Sequence, residues 1–367
     1  MEGSPIDIVI FAPLAPILGV ILFWFIQLLF IESQKFLLQK IRPKHEPLCR
    51  FTNFLGILFQ SICHALGYTV TKSGVSEFYL SVSYGKVAPK KEKKGIFEWI
   101  ANAFLFIGPF FIPALLLLIL YLLGTGYFEI ITPANIEATK YTFGGQITAF
   151  GANLHNFSQN FFTFLYRIDL LHPGHFGFLL LMIFLGMGIR PSHIGEQKLD
   201  KVDMIYDLRN IWSLITHKPL YVIVLFLFFY NIFYISIIFN LVGVDQNWYI
   251  AIFSIFGWIS LIAIVSLIIT HFILILIRFT DEIPGKLRYL PYLTLPVSYV
   301  LMRLIFFYFP TDFMYGVSLL VMIICTVIVT YILLSRKSNK FKTERDIKSL
   351  NKKGKAEKDA RTEPVEK

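Results

Sequence analysis

The chain has 367 residues, of which 56% are hydrophobic and 17% aromatic, and its formal net charge at pH 7 is +10. A soluble domain of this length does not need so many apolar residues, so the composition excludes a soluble globular protein and indicates a polytopic membrane protein. The cysteines, Cys49, Cys63 and Cys325, are odd in number and widely scattered, which excludes a disulfide framework and a thiolate metal site.

Residues 1–50 are expected to hold a first membrane span and a basic connector. The span is Ile8–Ile31, which is too long for a signal peptide and lacks both the charged n-region and the cleavage site of one. The connector is Glu32–Arg50.

The second predicted span, Phe51–Val70, carries Gln60, Ser61 and His64 in its middle. Gln60 and His64 are one helical turn apart and therefore share a face. Polar groups at membrane depth are costly and usually face protein or a water-filled cavity. We therefore expect this helix to carry the chemistry of the protein, or what remains of it.

The next segment, Val75–Lys86, alternates apolar and polar residues with period two, which predicts a strand and one arm of a β-hairpin at about residues 75–94. A third span, Ile100–Leu123, follows and contains a buried polar residue, Asn102. Gly108-Pro109 and Pro113 interrupt this span, so it should be packed inside a bundle whose neighbours satisfy the freed carbonyls.

Two amphipathic helices are predicted in the connecting regions. One lies in an external region, residues 124–172, with an apolar face of Ile147, Phe150, Leu154, Phe157, Phe161 and Phe164 and a polar side that includes Gln146. The other ends near Lys218, with an apolar face of Ile205, Leu208, Trp212 and Ile215. Such helices lie in the membrane interface or cover the bundle.

The remaining predicted spans bring the count to about eight, and they are Pro173–Ile189, Leu220–Val242, Tyr249–Ile277, Tyr289–Phe309 and Met314–Leu334. The last four form an extension of the core over residues 219–334. Within it, His271 is expected to be a hydrogen-bonded packing residue, and Arg303 should have a partner or a water-filled recess. The fold class is therefore an all-α polytopic membrane protein with one β-hairpin.

The C-terminal residues 335–367 carry twelve Lys/Arg against six Asp/Glu, which predicts a disordered basic tail in the cytoplasm that fixes the topology or contacts anionic lipids. Nucleic-acid binding is disfavoured because no base-reading motif accompanies the charge. Eight spans in a cell membrane place the basic loops inside and residues 124–172 outside, except for Glu32–Arg50. Either that loop breaks the positive-inside rule, or Phe51–Val70 is re-entrant and the N-terminus lies outside.

The order of these parts resembles the intramembrane zinc metalloproteases of the site-2 protease family, over about residues 51–218. The likeness lies in His64-Ala65-Leu66-Gly67 at the end of a helix, a hairpin after it, and the Gly-Pro region Asn102–Pro109. The segment Gly188–Gly195 is similar to a pattern in some members, where Pro-Ser precedes an acidic ligand. In the family the helix carries HExxH, whose histidines bind zinc and whose glutamate polarises water.

The resemblance also implies which groups have been lost. Gln60 stands in place of the first histidine, Ser61 in place of the glutamate, and Gly195, with Glu196 beside it, where the acidic ligand would fall. His64 and Glu196 are the candidate zinc ligands that remain, and His193, His172 and His175 would join them only if the fold brought them to His64. The chain is therefore not expected to bind zinc or to act as an HExxH-type peptidase.

Three functions follow from these observations. The first is a proteolytically inactive metalloprotease-like protein that binds a membrane-protein segment near His64, with membrane lipids as its other partners. The second is a transporter or channel for a small solute or ion, suggested by the broken third span, His271 and Arg303. The third is a membrane hydrolase that uses Ser61 and His64 as atypical catalytic groups, although neither an orienting acid nor a Gly-rich elbow accompanies them.

Overall fold

The computed structural model describes residues 4–82, 84–126, 141–189, 204–243 and 247–336. The helices of the first half are α1 (Leu14–Ile41), α2 (Glu46–Val70), α3 (Ile96–Phe106), α4 (Gly108–Thr125) and α5 (Phe143–Tyr166). The later helices are α6 (Pro173–Gly188), α7 (Met204–Thr216), α8 (Pro219–Leu241), α9 (Trp248–Thr280), α10 (Leu290–Tyr308) and α11 (Met314–Arg336). The strands β1 (Val75–Leu80) and β2 (Gly85–Pro89) lie between α2 and α3.

Six helices of the described ranges are long and apolar enough to cross a membrane: α1, α4, α8, α9, α10 with the turn before it, and α11. This confirms a helical, multi-pass membrane protein but not the expected count of eight. The two other expected spans correspond to α2 and α6. Polar residues lower the hydropathy of α2, and the 16 residues of α6 are about 24 Å long, which is less than the hydrocarbon core of a bilayer.

The predicted start of the first span falls in a π-helical turn, Asp7–Phe11, and α1 itself begins only at Leu14. Helix α1 ends later than predicted, because the charged residues after Ile31 continue it as far as Ile41. The basic connector is therefore reduced to the short turn between α1 and α2. At the other end, Pro13 has no N–H to donate to the carbonyl of Val9. The hydroxyl of Tyr234 donates to that carbonyl instead, at 2.7 Å.

The β-hairpin and the break in the third span are both present as predicted. Strands β1 and β2 form an antiparallel two-stranded sheet in which Phe78 pairs with Val87 and Leu80 with Gly85. The third span is divided at Ile107, where α3 ends and α4 begins with Gly108 and Pro109, whereas Pro113, also expected to interrupt the span, lies inside α4. Helix α2 packs against α3, α4, α6 and both strands, so it lies at the centre of this part of the molecule.

The amphipathic helix predicted in residues 124–172 is α5, but its two faces were assigned incorrectly at Gln146 and Ile147. Gln146 is buried, at 1% exposure, and accepts a hydrogen bond from the Asn247 side chain at 3.4 Å, whereas Ile147 is exposed. Phe150, Phe157 and Phe161 are buried as predicted. In the described part of α7 the predicted apolar residues Ile205, Trp212 and Ile215 are exposed, as expected of a helix at a membrane surface.

The chain divides into two compact units, one formed by residues 1–165 and 169–274 and the other by residues 166–168 and 275–367. The first unit contains the hairpin, α2 and a core cluster in which Phe150 packs with aromatic residues of α8 and α9. In the second unit the hydroxyl of Tyr166 donates to the carbonyl of Phe313 at 3.4 Å.

Candidate functional site

The polar residues in the middle of α2 line one recess of about 230 Å³. Gln60 and His64 are half-buried and share a helix face, as their spacing predicts, and Ser61 is 6% exposed beside them. The remaining walls come from the hairpin and its neighbours, and the residues there are Ile57, Tyr84, Gly85, Val87 and Leu105. The three residues singled out in the sequence, Gln60, Ser61 and His64, thus line one recess, and the hairpin forms another part of its wall.

The hairpin approaches α2 closely because position 85 is a glycine. A Cβ atom at Gly85 would lie 2.8 Å from the Cγ2 of Ile57 and would also collide with the Oγ of Ser61. The Nδ2 of Asn53 donates to the carbonyl of Val82 at 3.0 Å and fixes the tip of the hairpin to the same helix. These two contacts hold the strands against the recess.

One edge of β2 presents main-chain groups to the surroundings. Opposite residues in an antiparallel pair alternate between those that exchange hydrogen bonds and those that do not. The amide of Ser81 donates to the carbonyl of Tyr84 at 2.9 Å, which sets this alternation from the turn as far as the pair of Glu77 and Ala88, where the register shifts. Lys86 and Ala88 therefore bond to β1, whereas the N–H and C=O groups of Gly85 and Val87 point away from it.

The same two residues, Gly85 and Val87, line the recess. No third strand pairs with β2 among the residues that the structure describes. The residues of β2 with unused main-chain donors and acceptors are therefore also residues that line the recess.

The imidazole of His64 lies against the ring of Tyr68, with 4.4 Å between the ring centroids. In the described ranges no hydrogen bond joins His64 to Ser61, and no group of three His, Cys, Asp or Glu side chains is placed to hold a metal ion. Glu196 and His193 lie outside the described residues. A serine nucleophile activated by this histidine is thus without geometric support.

The two histidines at the start of α6 form a helix cap. The Nδ1 of His172 accepts from the amide of His175 at 3.4 Å, and the Nδ1 of His175 accepts from the amide of Asp169 at 3.1 Å. Each Nδ1 therefore uses its lone pair on a backbone donor. The two side chains therefore form hydrogen bonds at the beginning of α6 and do not join His64 in one site.

The other predicted polar residues have separate surroundings. The Nδ1 of His271 donates to the carbonyl of Leu267 at 2.8 Å, while its buried Nε2 has no hydrogen-bond partner. The guanidinium of Arg303 lies over the ring of Tyr315 at 4.3 Å and so has the expected partner. Asn102 is half-buried and lines a different cavity, between α3 and α7.

The outer side of the hairpin carries an exposed ion pair between Glu77 and Lys86, with 2.8 Å between the Oε2 and Nζ atoms. The hydrogen bond from Lys86 to Glu77, and then the charge of that carboxylate, raise the pKa of the lysine. Both side chains are largely exposed, so the pair adds little to stability.

The opposite face of α2 borders an apolar cleft of about 400 Å³ between α2, α4 and α6. Leu55, Phe59 and Ile62 contribute to it from α2. At about 100° per residue they lie roughly opposite Ser61 and His64. Helix α2 thus separates a polar recess from an apolar cleft.

No family model, no curated protein and no solved structure matches this chain. A function must therefore be argued from the geometry of the recess itself.

Proposed function

We propose that this chain is a proteolytically inactive protein of the site-2-protease type, which binds an extended segment of another membrane protein in the recess beside His64. The observation that supports this proposal is the unused edge of β2 at the recess, formed by Gly85 and Val87. An extended peptide adds to such an edge through main-chain hydrogen bonds, and its alternate side chains enter adjacent pockets. The recess at Gln60 and His64 is such a pocket.

The chemistry of the recess supports binding without cleavage. Zinc sites in hydrolases use three protein ligands and an activated water. In the recess Gln60 offers an amide oxygen, a weaker ligand than imidazole, and Ser61 cannot replace the carboxylate that removes a proton from water. His64 would bind a metal ion there with little assistance. We therefore assign the recess to recognition rather than hydrolysis.

We expect the purified full-length chain to contain far less than one zinc ion per molecule and to cleave no single-span model substrate in a chelator-sensitive manner. Elemental analysis and a cleavage assay in proteoliposomes measure these two quantities. Stoichiometric zinc together with chelator-sensitive cleavage would refute the proposed inactivity.

A Val87→Pro substitution tests the strand edge directly. Proline removes the N–H that points away from β1 and leaves the bonds of Lys86 and Ala88 to β1 intact. The probe is a fluorescent single-span peptide, interrupted by a Gly-Pro pair, in lipid nanodiscs. We expect its affinity to fall about fivefold to tenfold, the effect of losing one main-chain hydrogen bond.

An Ala88→Pro variant is the matched control. There the introduced proline removes an N–H that donates to β1, so it opens the hairpin itself. It should show faster hydrogen exchange throughout β1 and β2, whereas the Val87→Pro hairpin should exchange at the wild-type rate. Unchanged peptide affinity in a Val87→Pro protein with an intact hairpin would exclude binding at this edge.

Transport of a small solute or ion is the second candidate. The observation in its favour is a set of buried side-chain atoms without hydrogen-bond partners on α1 and α9, at Gln27, Ser260, Ser266 and His271. Such atoms are the usual partners of buried water or ions. We rank transport second because His271 and Arg303 line neither the recess nor the apolar cleft.

The proposed orientation in the cell membrane follows from the charges of the loops. The lysine-rich segment after the hairpin and the basic tail would both lie in the cytoplasm. The recess would then open at the cytoplasmic side of the bilayer, where a peptide can reach the edge of β2.

A further inference from the structure

A second polar cavity, of about 270 Å³, lies between α3 and α7 where α8 begins, away from the His64 recess. Glu98, Trp99 and Asn102 line it from α3, and Asn210 lines it from α7. Lys218, the residue before α8, completes this set. The proposed peptide-binding function uses none of these residues.

The cavity carries one negative and one positive side chain on its two walls. Glu98 is on α3 and Lys218 is at the junction of α7 and α8, and both are exposed. Within the described part of the chain, neither forms an ion pair with the other or with a third residue. Two opposite charges that stay apart across one cavity are complementary to a ligand that carries both charges itself.

Uncharged groups between these side chains favour an oxygen-rich ligand. The Nδ2 of Asn210 has no hydrogen-bond partner and no accessible surface, so it can donate to a ligand only once its side chain turns toward the cavity. The indole N–H of Trp99 donates to the carbonyl of Leu214 at 2.9 Å, which fixes the ring in the cavity wall. A fixed indole ring is a good neighbour for an ammonium group.

The cavity also lies beside the first residues of a candidate membrane span. Lys218 immediately precedes the span Pro219–Leu241, and α3 follows the lysine-rich segment 86–94. Trp99 and Tyr221, whose ring centroids are 6.1 Å apart, are of the types enriched where a bilayer meets water. These residue types beside the start of a span are typical of the region where lipid headgroups lie.

We propose that this cavity binds the headgroup of a zwitterionic phospholipid. The phosphate accepts hydrogen bonds from the ammonium of Lys218 and, after the Asn210 side chain turns toward the cavity, from its Nδ2. The ammonium of the headgroup donates to the carboxylate of Glu98 beside the ring of Trp99. This arrangement satisfies the buried amide and both unpaired charges with one ligand.

Native mass spectrometry of the full-length protein tests the site, with phosphatidylethanolamine and phosphatidylglycerol of identical acyl chains as probes. We expect the ethanolamine lipid to bind about tenfold more tightly than the glycerol lipid, because only its ammonium pairs with Glu98. Glu98→Gln should remove this preference. Lys218→Gln should lower the affinity for both lipids equally, because both carry the phosphate.

Glu92→Gln and Lys94→Gln are the matched controls, because they make the same charge changes at exposed positions outside the cavity wall, and both should bind lipid like the wild type. Wild-type binding in the Glu98 and Lys218 variants would overturn the proposal, as would a preference of the unaltered chain for the glycerol lipid. Soluble glycerophosphoethanolamine should bind much more weakly. Equal affinity for it would identify a site for a soluble phosphate ester and overturn the assignment to a lipid.

Discussion

A Gly186→Ala variant is expected to lose about 2–3 kcal/mol of stability, which is in the upper range for overpacking a tight contact. The added Cβ would lie 2.7 Å from the carbonyl carbon of Ser266 and would collide with the Oγ1 of Thr270. A backbone carbonyl cannot rotate out of the way as a side chain can, so α6 and α9 would have to separate. The hydrogen bond from the Nε2 of Gln34 to the carbonyl of Gly186, at 3.0 Å, would be strained as well.

Gly177→Ala is the control for this variant, because it makes the same change in α6 at a position with no atom within 4 Å of the new methyl group. Alanine is the better helix former, so this variant should gain about 0.5–1 kcal/mol. Equilibrium unfolding in one detergent compares the two free energies of unfolding. If the two variants unfold alike, the close packing of α6 on α9 is not a source of stability.

The second large effect is expected at the contact between the hairpin and α2. Gly85→Ala places a methyl group against Ser61 and Ile57 and should cost about 1–2 kcal/mol of hairpin docking. The amides of β1 and β2 should then exchange with deuterium about tenfold faster than in the wild type.

A second substitution distinguishes this close contact from a general loss of stability. Ser61→Ala removes the Oγ atom that the new methyl group would meet, so the double variant should recover part of the loss and show a coupling free energy of about 0.5–1 kcal/mol. Hydrogen exchange of the wild type, the two single variants and the double variant gives that coupling free energy. Strictly additive effects would mean that Ser61 and Gly85 do not restrict each other.

The sequence was most informative where one period was maintained. The alternation in Val75–Lys86 predicted β1, although that strand ends at Leu80 and β2 already begins at Gly85. The Gly-Pro pair correctly predicted the break before Gly108. The shared face of Gln60 and His64 follows from helix geometry alone, and both residues line one recess. Local rules were sufficient for these features because each depends on neighbours within a few residues.

The sequence was less informative where contacts between residues far apart in the chain determine which side chains are buried. The end of α1 was predicted at Ile31 because charged residues follow, yet Gln34 and Lys35 are buried in a helix that continues to Ile41. Gln146 was placed on a polar face, and it is buried because Asn247, about one hundred residues later, donates to it. Local periodicity contains no information on such partners.

The walls of the two polar cavities were also beyond prediction. Nothing local indicates that Gly85 would approach Ser61, or that Asn210 would face Asn102 across a cavity. Lys218 directly before a proline-initiated span was the one signal for the second cavity, since basic residues at the ends of spans often contact lipid. The lining of both sites depends on how α3 packs against its neighbours.

Helix α2 has a polar recess on one face and an apolar cleft on the other. A change in the number of residues in its first turns would therefore rotate the wrong side chains into each cavity. Deletion of two residues upstream of Leu55 would turn the rest of the helix by about 200° and direct leucine and phenylalanine side chains at the hairpin. Deletion of seven residues, nearly two full turns, would leave the helix almost in phase and only shorten it. Insertions and deletions in this part of the chain should therefore be tolerated only when their length is close to a whole number of helical turns. Their effect should depend on how far they rotate α2 and not on which residues are added or removed.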